Sequence, residues 1–128
     1  MITLTKLSIS NIESIMAFDK LCFPTDFWLE KDWRELLDDA RAVYYALLDK
    51  ESIVGDVFIY NWQGEKDYVK IMNVAIHPNY RHRGLARQLM NHVTEEMEAV
   101  GMYRFFGETR ASNKAMQRVF EDCGYVLH

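Results

Sequence analysis

The sequence has few of the features that mark secreted, disordered or membrane-spanning proteins. It contains two prolines and two cysteines, Cys22 and Cys123, which form no CxxC pair. A disulfide between them is conceivable, but nothing else indicates secretion, so we expect two reduced thiols that fill core space. No apolar run approaches the roughly 20 residues that cross a bilayer, and the first residues lack the charged-then-apolar pattern of a signal peptide. These absences predict a cytoplasmic protein without a membrane segment.

Charge and composition narrow the class of protein further. The formal net charge is −4, and the chain is 49% hydrophobic and 27% charged, without a low-complexity tract. An acidic chain has no general attraction to phosphate backbones, so nucleic-acid binding is the least favoured function. The length of 128 residues suits one globular domain, residues 1–128, with one hydrophobic core. We expect neither a metal site nor a membrane partner.

Hydrophobic periodicity predicts strands and helices in the order β-α-α-β-β-β-α-β-α. The predicted strands cover residues 2–7, 43–48, 53–60, 68–76 and 103–109, and the predicted helices lie within residues 12–21, 33–40, 85–100 and 113–123. Ser10 and Glu13 match a capping box at the start of the first helix. The pattern indicates an α/β (α+β) fold with an antiparallel meander and one strand-helix-strand crossover.

The segment from Val74 to Arg87 carries the pattern with chemical meaning, because a strand end, a short turn and a helix start follow one another there. The first N–H groups of a helix lack intrahelical partners and carry partial positive charge. Gly84 would let a phosphate approach the backbone, and Arg81 and Arg83 add charge beside it. An ordinary solvated helix start is the alternative interpretation. The patterns G-x-x-x-x-G-K-[ST] and G-x-G-x-x-G are absent, which disfavours nucleotide triphosphates and dinucleotides.

One hexapeptide, Arg81-His82-Arg83-Gly84-Leu85-Ala86, matches the R/Q-x-x-G-x-G/A signature of the GNAT superfamily of N-acetyltransferases. Residues 73–80, 108–113 (E-T-R-A-S-N) and 120–125 resemble accompanying segments of the ribosomal-protein-alanine branch, and Cys22-Phe23-Pro24 is similar to that branch's early C/A-F-P segment. The resemblance covers nearly the whole chain. It implies a GNAT-type fold, with a mixed, mostly antiparallel sheet flanked by helices. It also implies acetyl-coenzyme A as cosubstrate and a primary amine as acceptor, with a protein N-terminus as the leading choice.

The resemblance also implies which residues contact the cofactor. In this family the strand before the signature splays from its neighbour, and its main-chain groups, here those of Val74, Ala75 and Ile76, pair with the pantetheine arm. Arg81 would fix the signature turn. Six residues of that turn are implied to receive the pyrophosphate: His82, Arg83, Gly84, Leu85, Ala86 and Arg87. Because main-chain N–H groups would make much of this binding, bulk added at Gly84 should matter more than a changed side chain at Leu85.

Three further positions match the family's chemistry near the end of the sequence. Glu108 matches a general base, which is needed because only a deprotonated amine attacks a thioester; an outward-facing strand residue is the plainer alternative. Asn113 matches an asparagine that contacts the cofactor, and it also suits a helix N-cap. Counting from Asn113, Phe120 occupies the position of the tyrosine that protonates the departing thiolate. Phenylalanine would contact the cofactor there but has no hydroxyl to donate.

The end of the sequence departs from the family and leaves alternatives open. Family members usually continue past the pair that corresponds to Gly124-Tyr125 into strands that line the acceptor channel, whereas this sequence stops at His128. We therefore expect shortened C-terminal strands and an exposed edge on strand 103–109, which a homodimer would cover. The acceptor is a protein N-terminus or a small amine such as a polyamine, an aminoglycoside or an amino acid. A non-catalytic acyl-coenzyme A sensor is the alternative that Phe120 and the early stop favour.

Replacing Phe120 with tyrosine tests whether the missing hydroxyl limits turnover. We expect Phe120→Tyr to raise the turnover number by up to about 10²-fold, as is typical of a positioned acid. The measurement is thiol release at saturating acetyl-coenzyme A. A coenzyme A thiol, with a cysteine-like pKa of about 8.5, is a fair leaving group by itself. An unchanged rate would mean that the hydroxyl is irrelevant, or that a water or a neighbouring tyrosine replaces it.

Overall fold

A computed structural model describes residues 1–64 and 67–107 of the chain. Within these residues, five strands form one sheet in the order of the sequence. The strands are β1 (Ile2–Leu7), β2 (Ala42–Asp49), β3 (Ser52–Asn61), β4 (Val69–Ile76) and β5 (Phe105–Gly107). The helices are α1 (Ile12–Cys22), α2 (Glu30–Asp38) and α3 (Leu85–Ala99), and 3₁₀ turns cover Ile9–Asn11 and Pro78–Tyr80.

The sheet is mixed, as the sequence predicts. Strands β1 to β4 form an antiparallel meander. Strand β5 pairs in parallel with β4, and α3 forms the crossover between these two strands. The pairing joins Val69, Lys70 and Ile71 of β4 to residues 105–107. The fold class is therefore confirmed. The predicted fifth strand, residues 103–109, is seen over Phe105–Gly107, and its last two residues lie outside the described part of the chain.

The two faces of the sheet pack against different helices, because successive side chains in a strand point to opposite sides. In β2, Tyr45 and Leu47 join an apolar core with α3. Their neighbours Tyr44 and Ala46 join a second core with α1 and with Trp33 of α2. The layers on both faces bury aromatic and branched side chains from several strands, which is the main apolar stabilisation of the fold.

A β-bulge interrupts this alternation in β4. Asn73 pairs with Phe58 of β3 and Ile71 pairs with Ile59, so Met72 is an extra residue in the strand. A bulge shifts the phase of the side chains that follow it. As a result Ile71 and Val74, three residues apart, both pack in the α3-side core. Side chains after the bulge therefore point to the opposite faces from those that strict alternation along β4 would give.

A polar cluster joins α3 to the sheet at the β1–β2 side. The Glu96 carboxylate accepts a hydrogen bond from the Tyr45 hydroxyl at 2.8 Å. It also forms ion pairs with Lys6 at 2.5 Å and, when the imidazole is protonated, with His92 at 3.3 Å. Burial, together with the bond to Glu96, raises the pKa of Tyr45 far above its ordinary value. Tyr45 therefore keeps its proton and remains a donor to Glu96.

Two local predictions are corrected by the structure. Helix α1 begins at Ile12 as predicted, but its N-cap is Asn11, which makes no side-chain cap bond, and the reciprocal cap involves Ser8 of the 3₁₀ turn before the helix. There, the Ser8 backbone N–H donates to Asn11 Oδ1 at 3.2 Å, which favours a 3₁₀ turn before the helix. The β2–β3 hairpin is also tighter than predicted, because Asp49 already pairs with Ser52.

No helix among the described residues is both long enough and apolar enough to cross a membrane.

Candidate functional site

The junction between β4 and α3 places a helix start at the end of a buried strand. The chain leaves β4 at Ile76, passes through the 3₁₀ turn and enters α3 at Leu85. Two residues of the connection have left-handed backbones, His82 with φ of 65° and Gly84 with φ of 74°. The Gln88 N–H donates to the Gly84 carbonyl at 3.1 Å, so Gly84 is the N-cap of the helix.

Gly84 leaves the start of α3 open. The positive φ favours glycine, because other residues pay a steric cost in this region. A Cβ built on Gly84 would meet no atom of the described chain within 4 Å. Glycine also has no side chain to cap the helix, so no N-cap side chain bonds the first amides. This arrangement suits an anion that approaches the helix start from outside.

The turn is fixed to β4 from two sides. Arg81 Nε donates to the Ile76 carbonyl at 3.1 Å, which ties the turn to the last residue of the strand. Leu85 and Ala86 are each 8% exposed and pack in the α3-side core. Their side chains therefore anchor the start of the helix. The side chains of Arg81 and Arg83 are exposed beside it.

Tyr80 contributes more than the packing expected of an aromatic residue. Its hydroxyl donates to Asp49 Oδ2 at 2.5 Å, across to the end of β2. The Arg83 guanidinium lies over the Tyr80 ring, 4.8 Å from its centroid, and Arg83 Nη2 donates to the Asn79 carbonyl at 3.2 Å. The hydrogen bond from Tyr80 lowers the pKa of Asp49, and the same bond raises the pKa of Tyr80. Asp49 thus fixes Tyr80, and the Tyr80 ring in turn supports the guanidinium of Arg83.

The residues predicted to pair with the pantetheine arm occupy the second half of β4. Val74, Ala75 and Ile76 are buried, at 2% to 3% exposure. On one side they pair with β3, where Ala75 lies opposite Asp56. On the other side, the described pairing with β5 ends at Ile71, the residue before the bulge.

The remaining predicted positions either surround the turn or lie beyond the described residues. His82 and Arg87 are exposed beside the helix start. Glu108, Asn113 and Phe120 fall outside the described part of the chain. Within residues 1–64 and 67–107, no group of three or more His, Cys, Asp or Glu side chains is arranged to hold a metal ion.

Sequence reasoning missed a buried polar group next to the predicted cofactor strand. Asp56, Tyr44 and Asn73 are at most 3% exposed. The Tyr44 hydroxyl donates to Asp56 Oδ2 at 2.5 Å, and Asn73 Nδ2 donates to Asp56 Oδ1 at 3.4 Å. A signal for this group exists in the sequence, because Asp56 interrupts the otherwise apolar run of β3. A charged side chain is almost never fully buried unless it is paired, so its position predicts buried partners.

Comparison with known families agrees with this geometry. A sequence profile described as the acetyltransferase (GNAT) family matches residues 12–125. The match includes the whole β4–turn–α3 junction. The chain therefore belongs to the GNAT family, as the signature hexapeptide indicates.

Individual relatives include N-acetyltransferases named for different acceptors. The [ribosomal protein bS18]-alanine N-acetyltransferase of Salmonella typhimurium is 36% identical over 59 residues, which are 46% of this chain and 40% of that protein. The chain thus matches less than half the length of this curated relative. The crystal structure of ribosomal-protein-S18-alanine N-acetyltransferase from Escherichia coli has a TM-score of 0.82 at 23% identity, covering 97% of this chain and 77% of that one. Aminoglycoside N-acetyltransferase AAC(6')-Iy in complex with CoA has a TM-score of 0.76 at 16% identity, covering 98% and 88%. At these identities the two structures show the shared fold alone.

Removing the Tyr80 hydroxyl should destabilise the protein in a pH-dependent way. The pKa of Asp49 is lowered in the folded state. The hydrogen bond from Tyr80 to Asp49 therefore stabilises the fold above the unfolded pKa of about 3.9, and this stabilisation is lost as the pH falls through the folded pKa. We expect Tyr80→Phe to unfold at less urea than wild type at pH 7, and the gap to shrink at about pH 3. The urea midpoints of variant and wild type at both pH values measure this gap. Tyr103→Phe, at a residue 70% exposed, is the control and should match wild type. A gap of equal size at both pH values would contradict the assignment.

Proposed function

We propose that this chain transfers an acetyl group from acetyl-coenzyme A to a primary amine, and that the acceptor is the α-amine of a protein N-terminus. The observation that carries the proposal is the open helix start at Gly84, held at the end of β4 by Arg81. Membership of the GNAT family supports the reaction. The names of the ribosomal relatives support the acceptor.

Donor binding would use main-chain groups more than side chains. The pyrophosphate would lie at the amides that follow Gly84, with the positive charge of Arg83 and Arg87 beside it. From there the pantetheine arm would run back along β4 past Ile76 and Val74. Its thioester end would then lie near Asn73 and the bulge. On this path, the exposed turn at Gly84 and the buried second half of β4 would belong to a single binding site.

The reaction needs two proton transfers around one acyl transfer. The acceptor ammonium first loses a proton, for which Glu108 is the proposed base. The amine nitrogen then attacks the thioester carbonyl, so that a C–N bond forms and the C–S bond breaks. The coenzyme A thiolate leaves with the bonding electrons, and the second proton, which the nitrogen loses as it becomes an amide, passes to the thiolate directly or through water. Phe120, as a phenylalanine, would not supply that proton.

Substitutions at two glycines with similar left-handed backbones distinguish an effect on cofactor binding from an effect on folding. Gly84 and Gly101 have φ values of 74° and 87°, and at both a Cβ would meet nothing within 4 Å. Replacing either with alanine should cost about 1–2 kcal/mol of folding free energy. Only Gly84→Ala should also weaken coenzyme A binding, by about tenfold or more, because the added methyl occupies the path of a phosphate. Urea unfolding and calorimetric titration with coenzyme A measure the two effects. Equal affinity in both variants would overturn the proposed phosphate site.

A panel of amines identifies the acceptor class. We expect thiol release with a peptide that copies the N-terminus of ribosomal protein bS18 and begins with alanine. The same peptide with a blocked N-terminus is the matched control and should be inactive. Turnover only with polyamines or aminoglycosides would replace the protein acceptor by a small amine. Coenzyme A binding without transfer to any amine would show a binding module instead of an enzyme.

A further inference from the structure

Asp56 is a carboxylate with no exposed surface, located inside a sheet. It is 0% exposed, and Tyr44 and Asn73, which bond to it, are 1% and 3% exposed. Both partners are donors to it: the Tyr44 hydroxyl to Oδ2 at 2.5 Å and Asn73 Nδ2 to Oδ1 at 3.4 Å. A buried carboxylate is costly unless donors of this kind compensate it. A chain that only needed a stable sheet would gain by placing an apolar residue here.

The cluster joins three adjacent strands on one face of the sheet. Tyr44 is in β2, Asp56 in β3 and Asn73 in β4, and the register places Tyr44, Phe58 and Asn73 in one row across the sheet. Phe58 and Tyr44 pack in the core with α1 and α2. The three polar side chains therefore lie on the face opposite α3. Their hydrogen bonds link β2, β3 and β4 in addition to the backbone pairing of these strands.

The cluster lies at the point where backbone pairing is interrupted. Met72 is the extra residue of the β4 bulge, and Asn73 follows it directly. A bulge disrupts the ladder locally, so the strand needs another contact to fix its position. The side-chain bond from Asn73 to Asp56 supplies such a contact, one residue before the segment of Val74, Ala75 and Ile76. Tyr44 in turn fixes Asp56.

We propose that Asp56 is a positioning residue for acyl transfer, which holds Asn73 and the bulge of β4 so that the thioester end of the donor lies at a fixed point on the strand. The proposal rests on the proposed function for the path of the donor along β4. It goes beyond that function, because it assigns a role to Asp56 and Tyr44, which lie outside the signature and the predicted site. Asp56 acts through Asn73 and does not need to touch the substrate.

This role predicts a specific kinetic signature. The phosphate turn is anchored separately, by Arg81 and by the burial of Leu85. Donor binding should therefore survive when Asp56 loses a partner, whereas the reacting group should lose its alignment. Small misplacements of a reacting group can lower rates by up to about 10²-fold. A fall in kcat with little change in KM for acetyl-coenzyme A is the expected result.

Neighbouring tyrosines of β2 provide a matched pair for the test. Tyr44 and Tyr45 are both buried, and each donates its hydroxyl to a carboxylate, Asp56 and Glu96 respectively. Their side chains lie on opposite faces of the sheet. We expect Tyr44→Phe to lower kcat by about tenfold or more, with KM for acetyl-coenzyme A within about twofold of wild type. Tyr45→Phe should lose comparable stability but keep its kcat. Equal effects of the two variants on kcat would overturn the proposal.

Substitutions at Asp56 and hydrogen exchange complete the test. Asp56→Asn keeps polar atoms for both partners and should retain more activity than Asp56→Ala; the reverse order would contradict the role. Amide exchange with coenzyme A bound gives a readout that needs no acceptor. Residues 72–76 should exchange faster in Tyr44→Phe than in Tyr45→Phe, and equal protection there would also overturn the proposal. If wild type transfers acetyl to no amine, the proposed function fails, while the exchange comparison still decides the role of Asp56.

Discussion

The start of α3 is held against the end of β4, and the proposed binding site for the donor depends on that junction. Leu85 and Ala86 bury their side chains under the sheet, which fixes where the first turn of the helix lies. Arg81 bonds the last carbonyl of β4, and the left-handed Gly84 turns the chain into the helix. The direction of the first amides is therefore set by the core. A phosphate bound there would start the cofactor arm in line with β4.

The two sides of the sheet have different chemistry. Among the described residues, the buried carboxylate and carboxamide side chains are those of Asp19, Asp56 and Asn73, and all three belong to the face that packs α1 and α2. Asp19 accepts bonds from the Trp28 N–H at 2.9 Å and from Trp33 Nε1 at 3.4 Å, so it fixes the connection between these helices. The α3 side buries mainly apolar residues. Buried polar groups specify one geometry, because a shifted partner would leave a charge unsatisfied. Both faces therefore have an apolar core, and the face that packs α1 and α2 also buries carboxylate and amide groups that fix its geometry.

The elements within the described residues and the arginine-rich turn before α3 were predictable from the sequence because they follow from local rules. Alternation and 3.6-residue periodicity gave the strands and helices, and the glycine after an arginine-rich turn marked the start of α3. The bulge at Met72 and the Asp56 cluster were not predictable in this way, since both depend on which strands become neighbours. The bond from Tyr80 to Asp49 links residues 31 positions apart. Asp56 was visible only as an unexplained charge in an apolar run, because periodicity does not say what compensates a buried charge.

The structure also bears on the proton that the leaving thiolate would take up. The hydroxyls of Tyr44, Tyr45 and Tyr80 all donate to carboxylates, and the pKa of each is raised. Each of these hydroxyls is already engaged with its carboxylate acceptor, so its proton is not directed toward a leaving thiolate. A thiol with a pKa of about 8.5 can leave without such help. The harder step in the proposed reaction is then deprotonation of the amine. An α-amine has a pKa of about 7.7–8.0, against about 10.4 for a lysine-like amine, so its reactive fraction at pH 7 is larger by about 10²-fold or more. A base of modest strength therefore suffices to deprotonate an α-amine, whereas an alkylamine needs a stronger one.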